Sequence, residues 1–357
     1  MPSSNYTQAR CPPASECVDL RLGYPELNVD RIDFIRKAAH TQFSEDDPKF
    51  YLYGQNCGYK EFREDLAIFL TENYGFQVNC DELMIINGSA GGLDLVCRML
   101  TTPGDVVFTE DPTYFLAAGT FRDYHLKTVQ IPMDADGINT AEFERLLSIF
   151  KPKLFYTIPV GHNPTGRTTS QEKREAVASL ALKHDFIIVA DEVYQLLTFP
   201  GVTAPPAFTF FDKSPLKNHI ISLGSFSKIA APALRLGWLQ TGKSLITSLI
   251  ESGLIKSGGC LNPVCCGIMH HALNMGTQKE YLWLARNDLH RKANRLMKAL
   301  DDKLPDFEYE IPLGGYFLIA KVPSDIDVID LWRTANSFGV NFLPGSEFGK
   351  VSWKSYF

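Results

Sequence analysis

Short apolar runs alternate along the chain with longer stretches of mixed polarity, and Pro and Gly punctuate the joins. Six runs read as strands: ELMIING (82–88), DVVFTE (105–110), KLFYTIP (153–159), DFIIVADE (185–192), HIISLGS (219–225) and LRLGWLQTG (234–242). Their near-continuous apolar character predicts a mostly parallel sheet covered on both faces. Between them, GGLDLVCRML (91–100), YFLAAGTFRDY (114–124) and QEKREAVASLALKH (171–184) carry helical spacing. That alternation predicts an α/β chain. After Pro263 a long charged amphipathic stretch runs to about Leu304, followed by shorter strand-like pieces such as GGYFLIAKV (314–322). The expected organisation is a large domain over residues 51–262 and a connecting helix with a smaller α/β domain over 263–357. The N-terminal segment 1–50 is expected to join the smaller one.

Composition narrows the class. The 357 residues, 45% apolar and 21% charged, suit a globular protein of two domains, and no run of about twenty apolar residues could span a bilayer. A net charge of -6 offers no electropositive face for a nucleic-acid backbone, so neither nucleic acid nor membrane is an expected partner. The opening MPSSNYTQARCPPASEC lacks the basic-then-apolar order of a secretory signal. Its serines and single arginine make a faint transit-peptide pattern, so the cytoplasm is expected first and the mitochondrial matrix second. Eight cysteines (Cys11, Cys17, Cys57, Cys80, Cys97, Cys260, Cys265 and Cys266) show no CxxC spacing. They read as free, mostly buried thiols in a reducing compartment, with no metal site.

The candidate chemistry centres on SLGSFSKIAAPALRLGW (222–238), where Lys228 stands alone among small residues. Lysine is the side chain that forms a Schiff base with an aldehyde, provided its surroundings let the amine lose a proton. Read alone, Lys228 is more simply a surface lysine at a strand-to-helix turn. Its company argues otherwise, because pyridoxal phosphate needs a phosphate cup, an anion at its ring nitrogen, donors to its ring oxygen and an aromatic face. Ser225 and Ser227 offer hydroxyls and Arg235 a bidentate fork. NGSAGGL (87–93) is a strand end turning into a helix, with Ser89 and Ala90 at the start, where free N–H groups can cradle an anion. Asp191 ends the apolar strand FIIVAD and would emerge at the carboxyl edge of the sheet, although a helix cap is the plain alternative. Asn163 in HNPTG and Tyr194 can reach the ring oxygen, and Tyr114 in EDPTYF can stack on the ring or serve as ordinary packing.

The motifs YGQNCGYKEFR (53–63), NGSAGGLDLV (87–96), TPGDVVFTEDPTYF (102–115), HNPTGR (162–167), ADEVY (190–194), GSFSK with ALRLGW (224–238), LGGYF (313–317) and LPGSEF (343–348) follow one another along most of the chain. In that order the chain resembles the fold type I pyridoxal-phosphate enzymes, specifically the class I/II aminotransferases and their aminoadipate and kynurenine branch. The resemblance implies a large α/β domain with a mostly parallel, seven-stranded-type sheet wrapped by helices, plus a smaller α/β domain. It implies that Lys228 attaches the cofactor and shuttles the substrate proton, with Asp191 at the pyridine nitrogen and Asn163 and Tyr194 at the ring oxygen. Ser89, Ala90, Ser225, Ser227 and Arg235 would hold phosphate and Tyr114 would stack on the ring. Tyr53 matches a tyrosine that reaches the neighbouring subunit's phosphate, which implies a homodimer with shared sites. Gly23, in LGYPE, matches a segment that closes over the substrate, and Asn163 also faces the substrate side.

The implied reaction moves an amino group from an amino acid to a 2-oxo acid; elimination from a cysteine conjugate on the same scaffold is the alternative. In the family an arginine for the substrate α-carboxylate follows shortly after the PGxxF motif, whereas this chain ends at Phe357. That reads as a C-terminally truncated form whose catalytic competence is open. The GGYFLIAKV strand is then expected to lack its last partners and the smaller domain to be weakly stable.

Two rival readings exist. GWLQTGKS (237–244) fits the phosphate-loop pattern GxxxxGK[ST], which would make a nucleotide hydrolase, but Trp238 and Leu239 are bulky and continue a strand. A transcription regulator with an aminotransferase-like domain behind a DNA-binding domain is the other. Only about fifty residues precede Tyr53, and none resembles a basic helix-turn-helix.

Overall fold

A computed structural model describes residues 18–26, 29–45, 47–258, 262–348 and 353–357. The prospective leader region, Cys11, Cys17 and Cys260 lie outside the described residues. In chain order the elements begin β1 (Val18–Asp19), α1 (Val29–Ser44), α2 (Lys60–Tyr74), β2 (Leu83–Ile86), α3 (Gly88–Leu100), β3 (Val106–Asp111), α4 (Phe115–Asp123), β4 (Lys127–Asp134), β5 (Gly137–Ile138), α5 (Thr140–Leu147), β6 (Pro152–Thr157) and α6 (Gln171–His184). They continue with β7 (Ile187–Asp191), β8 (Ile220–Ser225), β9 (Gly237–Gln240), α7 (Lys243–Leu249), α8 (Gly253–Gly258), α9 (Pro263–Asn274), α10 (Thr277–Lys303), β10 (Glu308–Tyr309), β11 (Ala320–Lys321), α11 (Val328–Ser337) and β12 (Val340–Asn341).

All six predicted strands form and lie in one sheet, ordered β2-β9-β8-β7-β6-β3-β4-β5. Strands β8, β7, β6, β3 and β4 pair in parallel, β9 runs antiparallel to both β8 and β2, and β5 is a two-residue return on β4. The mostly parallel seven-stranded sheet is thus present with one short addition. β4 escaped the sequence reading because half of its positions are exposed or half-buried polar ones at the sheet edge. Inner strands are buried on both faces, as their continuous apolar runs require. Helices cover those faces, and Phe62, Phe108, Phe121, Phe143 and Phe155 are fully buried between layers, each stabilising the fold by roughly 1.5–3 kcal/mol. Helix α6 starts where Ser170 accepts from the Lys173 N–H and ends at Asp185 in the left-handed region. Gly224 pairs with Trp238, and a Cβ there would lie 2.0 Å from Trp238 Cε2, so only glycine lets β8 carry this neighbour.

Three expectations need correction, and one rival pattern falls as expected. The amphipathic stretch after Pro263 is two helices, α9 and α10, broken at Gly276. GGYFLIAKV is a strand only at Ala320–Lys321, and its partners are there: the Ala320 N–H donates to Phe357 O, Val322 N–H to Ser355 O and Phe357 N–H to Ala320 O. The rival pattern GWLQTGKS is the buried strand β9 followed by a turn that spends two of its amides and its lysine on the fold. Thr241 N–H donates to Glu82 O, Gly242 N–H to Lys217 O, and Lys243 Nζ to Asp81. The described cysteines are free, but Cys97 and Cys266 are buried while Cys57, Cys80 and Cys265 are half-buried. Among the described residues no helix is long and apolar enough to cross a membrane, and no group of three or more His, Cys, Asp or Glu side chains is arranged to hold a metal.

Candidate active site

A parallel sheet presents the ends of neighbouring strands at one edge. Asn163 follows β6, Asp191 closes β7, Lys228 follows β8, Tyr114 follows β3 and Ser89 opens α3 after β2. Residues separated by up to 139 positions in the sequence are thereby brought to the carboxyl edge, and three of them, Tyr114, Asn163 and Lys228, open onto a cavity of about 830 Å³. Tyr114, Asn163, Tyr194, Lys228 and Gly23 line that cavity, and Tyr281, Tyr316, Phe317, Phe342 and Phe348 make much of its wall.

Lys228 is half-buried and donates from Nζ to the Gly23 carbonyl, while Tyr316 donates to the Lys228 carbonyl at 3.0 Å. Burial pulls its amine down to about 8, and Asp191 opposes the shift while Arg235 adds to it. Asp191 is buried, its Oδ2 accepts from Tyr156 Oη at 2.8 Å, and its Oδ1 has no hydrogen-bond partner. Burial raises its carboxyl to about 6, against the pull of Tyr156, Ser89 and Lys228. The phenol of Tyr194 is driven well above its ordinary range by burial first and by the Asp191 charge second, so it stays a donor. Asn163 is buried and its Oδ1 is also unpartnered.

The loop carrying Asn163 is fixed from beneath. His162 Nε2 lies 3.1 Å from Glu110 Oε2, both wholly buried, and Thr165 Oγ1 is 2.9 Å from His162 Nδ1. Glu110 also accepts from Thr157 Oγ1 and the Ile158 N–H. Arg174, fully buried, donates to the carbonyls of Pro159, Thr169 and Pro206 and so ties the far side of the loop.

The candidate phosphate cup lies at the start of α3, whose first turn has no side-chain cap. Arg235 reaches it: Nη2 donates to Asn87 O at 3.3 Å and Nη1 to Ser227 Oγ at 3.4 Å. A Cβ on Gly88 would sit 2.8 Å from Arg235 Nη2. Ser225 Oγ accepts from the Ser227 N–H at 3.1 Å, which curls the turn toward the helix. The uncapped amides, the guanidinium and the orphaned buried oxygen of Asp191 suit an anionic, ring-bearing cofactor with an N–H on its rim.

Tyr53, also singled out in the sequence, stands at the surface, 88% exposed. Sequence reasoning missed Tyr156, and it reduced the N-terminal contribution to Gly23, although the whole of Asp19–Glu26 lines the cavity. A tyrosine in the middle of a buried strand needs a partner for its hydroxyl, which was the available signal for Tyr156.

Fold and site together define a pyridoxal-phosphate enzyme of the doubly covered α/β type. Residues 16–355 match the family described as aminotransferase class I and II, and the chain belongs to that family. Aromatic-amino-acid aminotransferase 1 of Thermococcus litoralis is 29% identical over 340 residues, covering 94% of this chain and 80% of the relative. The 2-aminoadipate transaminase of Thermus thermophilus is 29% identical over 285 residues, covering 79% and 70%. The crystal structure of kynurenine aminotransferase from Pyrococcus horikoshii superposes with a TM-score of 0.86 at 27% identity, covering 96% of this chain and 85% of that one. The protein is a pyridoxal-phosphate-dependent aminotransferase of fold type I.

Proposed function

We propose that this aminotransferase acts on amino acids with large aromatic or apolar side chains, through Lys228, as a homodimer. The observation that carries the reading is the convergence of Lys228, Asn163 and Tyr194 on a cavity walled by tyrosine and phenylalanine, with Asp191 buried close enough to Lys228 to act on its charge. The names of its relatives, which include an aromatic-amino-acid and a kynurenine aminotransferase, support the same substrate class.

In this reading Arg235, Ser225, Ser227, Ser89 and the Ala90 amide hold the phosphate, and Tyr114 covers one ring face. Asp191 Oδ1 would accept from the ring nitrogen, and Asn163 Nδ2 and Tyr194 Oη would donate to the ring oxygen. When bound, the cofactor supplies an electron sink for the charge left as the substrate α-proton departs. Lys228 Nζ is the point of attachment and the base that moves that proton; an amine with a pKa of about 8 is suited to both giving and taking it near neutrality. The segment Asp19–Glu26 lies over the cavity and limits water.

Dimerisation is supported by the exposed run Tyr51, Leu52 and Tyr53, from which Tyr53 can reach a neighbouring subunit's phosphate. The same reading divides the chain into a large domain over 51–262 and a small one over 263–357. Pairing of β1 with β12 supports the assignment of the N-terminal segment to the latter.

Incubation with phenylalanine and 2-oxoglutarate is expected to yield phenylpyruvate and glutamate. The expected kcat/KM for phenylalanine exceeds that for aspartate by about tenfold or more. Sedimentation of the holoenzyme should give twice 40.0 kDa. Pyruvate and ammonia from a cysteine conjugate, without amino exchange, would replace this reading by elimination; a monomer would remove the shared site.

A further inference from the structure

Tyr156 pairs in register with Val189, so it shares a sheet face with Asp191 two residues further along β7. Its hydroxyl donates to one carboxylate oxygen of Asp191 at 2.8 Å, and the other oxygen has no hydrogen-bond partner. The tyrosine is wholly buried, and Phe121 packs edge-on against its ring with centroids 5.7 Å apart, which holds the ring and so the position of its hydroxyl oxygen.

We propose that Tyr156 is a positioning residue for amino transfer: its O–H pins Asp191 Oδ2, turns Oδ1 toward the cofactor's ring nitrogen and keeps the carboxyl ionised. The inference rests on the reading of Asp191 as the ring-nitrogen partner.

The physical case turns on how few groups help that carboxylate. A buried carboxylate with no donor reverts to its neutral form, and a neutral carboxyl cannot hold a proton on the ring. The groups facing Asp191 are Tyr156 from β6, Ser89 from α3, Lys228 from the turn after β8, and its own neighbours Glu192 and Tyr194. Glu192 and Tyr194 bring no positive charge. Behind burial itself, the Tyr156 hydrogen bond is the strongest influence on Asp191, and it acts to lower its pKa. The Tyr156 phenol is in turn pushed well above its ordinary range by burial, with the Asp191 charge adding to it, so it remains the donor.

The test follows the carboxyl directly in the cofactor-free protein, with aspartate carrying ¹³C at the side-chain carboxyl and the Asp191 signal assigned by its loss in Asp191→Asn. The wild-type midpoint is expected near 6. Tyr156→Phe should raise it by about one pH unit, a tenfold change in proton affinity. A ring-fluorinated tyrosine at the same place, equal in shape and a stronger donor, should lower it. In the holoenzyme, Tyr156→Phe should cut kcat about threefold near pH 6.5, as the ionised fraction of Asp191 falls from about three quarters to about one quarter, and hardly at all near pH 9, with KM for the amino donor unchanged. An unmoved midpoint in both variants, or an equal loss at every pH, overturns the proposal. Should Tyr156→Phe fail to fold, the fluorinated variant decides alone. Full activity in Asp191→Asn would instead sink the reading of Asp191, leaving the measured Tyr156 coupling intact.

Discussion

Lys228→Ala is expected to lose about 10⁴-fold or more of the amino-transfer rate while melting within a few degrees of the wild type. Two lysines line the cavity, Lys228 and Lys292, and only one is equipped to act. Lys292 binds Glu26 and Asp288; burial would lower its pKa, but those two carboxylates outweigh it and raise it. Its ammonium therefore stays charged and cannot serve as a nucleophile or base near neutrality. Lys228 instead donates to a backbone carbonyl, and burial brings its amine down to about 8. Loss of its amine removes both the attachment and the proton carrier, so Lys292 should provide no rescue. Single-turnover rates read the effect, and a variant keeping a tenth of the wild-type rate would contradict the assignment.

Asp191→Asn is expected to have opposite effects on activity and on stability. The rate should fall about 10²- to 10³-fold, the scale of removing one preorganised electrostatic partner. The cofactor-free protein should meanwhile gain about 3 kcal/mol near pH 7.5. Burial raises the Asp191 carboxyl from 3.8 to about 6, so the folded chain holds this proton more tightly than the unfolded chain does. The stabilisation is complete below 3.8 and is lost as pH rises through 6, so the ionised side chain is a standing cost at neutrality. Glu192, raised to about 7 mainly by burial, adds a decline of the same sign that the variant keeps. Urea unfolding of both cofactor-free proteins at pH 4 and pH 7.5 isolates the Asp191 share. Equal stability at the higher pH, or an active variant, would count against the electrostatic account.

The sequence carried most of this site because the chemistry is written at strand ends. FIIVAD places Asp191 where a buried run stops, and GSFSK places Lys228 one turn beyond another. Both are local patterns that survive folding unchanged. What stayed hidden depends on register between strands. Nothing near KLFYTIP announces that Tyr156 will stand beside Asp191, 35 positions on, because that meeting is fixed by the pairing of β6 with β7. The buried Glu110–His162 pair under the Asn163 loop is hidden for the same reason. GGYFLIAKV misled in the other direction: its apolar run reads as a strand, yet Tyr316 and Phe317 are spent on the cavity wall and only Ala320–Lys321 forms a strand. The phosphate-loop pattern in GWLQTGKS failed because a short motif says nothing about whether its amides are free.

The most direct test of the central claim is to reduce the protein with borohydride in the presence of pyridoxal phosphate and map the modified peptide by mass spectrometry. The account predicts one stable adduct per chain, on Lys228 in the peptide containing GSFSK, and none in Lys228→Ala. An adduct on another lysine, or no adduct in the wild type, would contradict it.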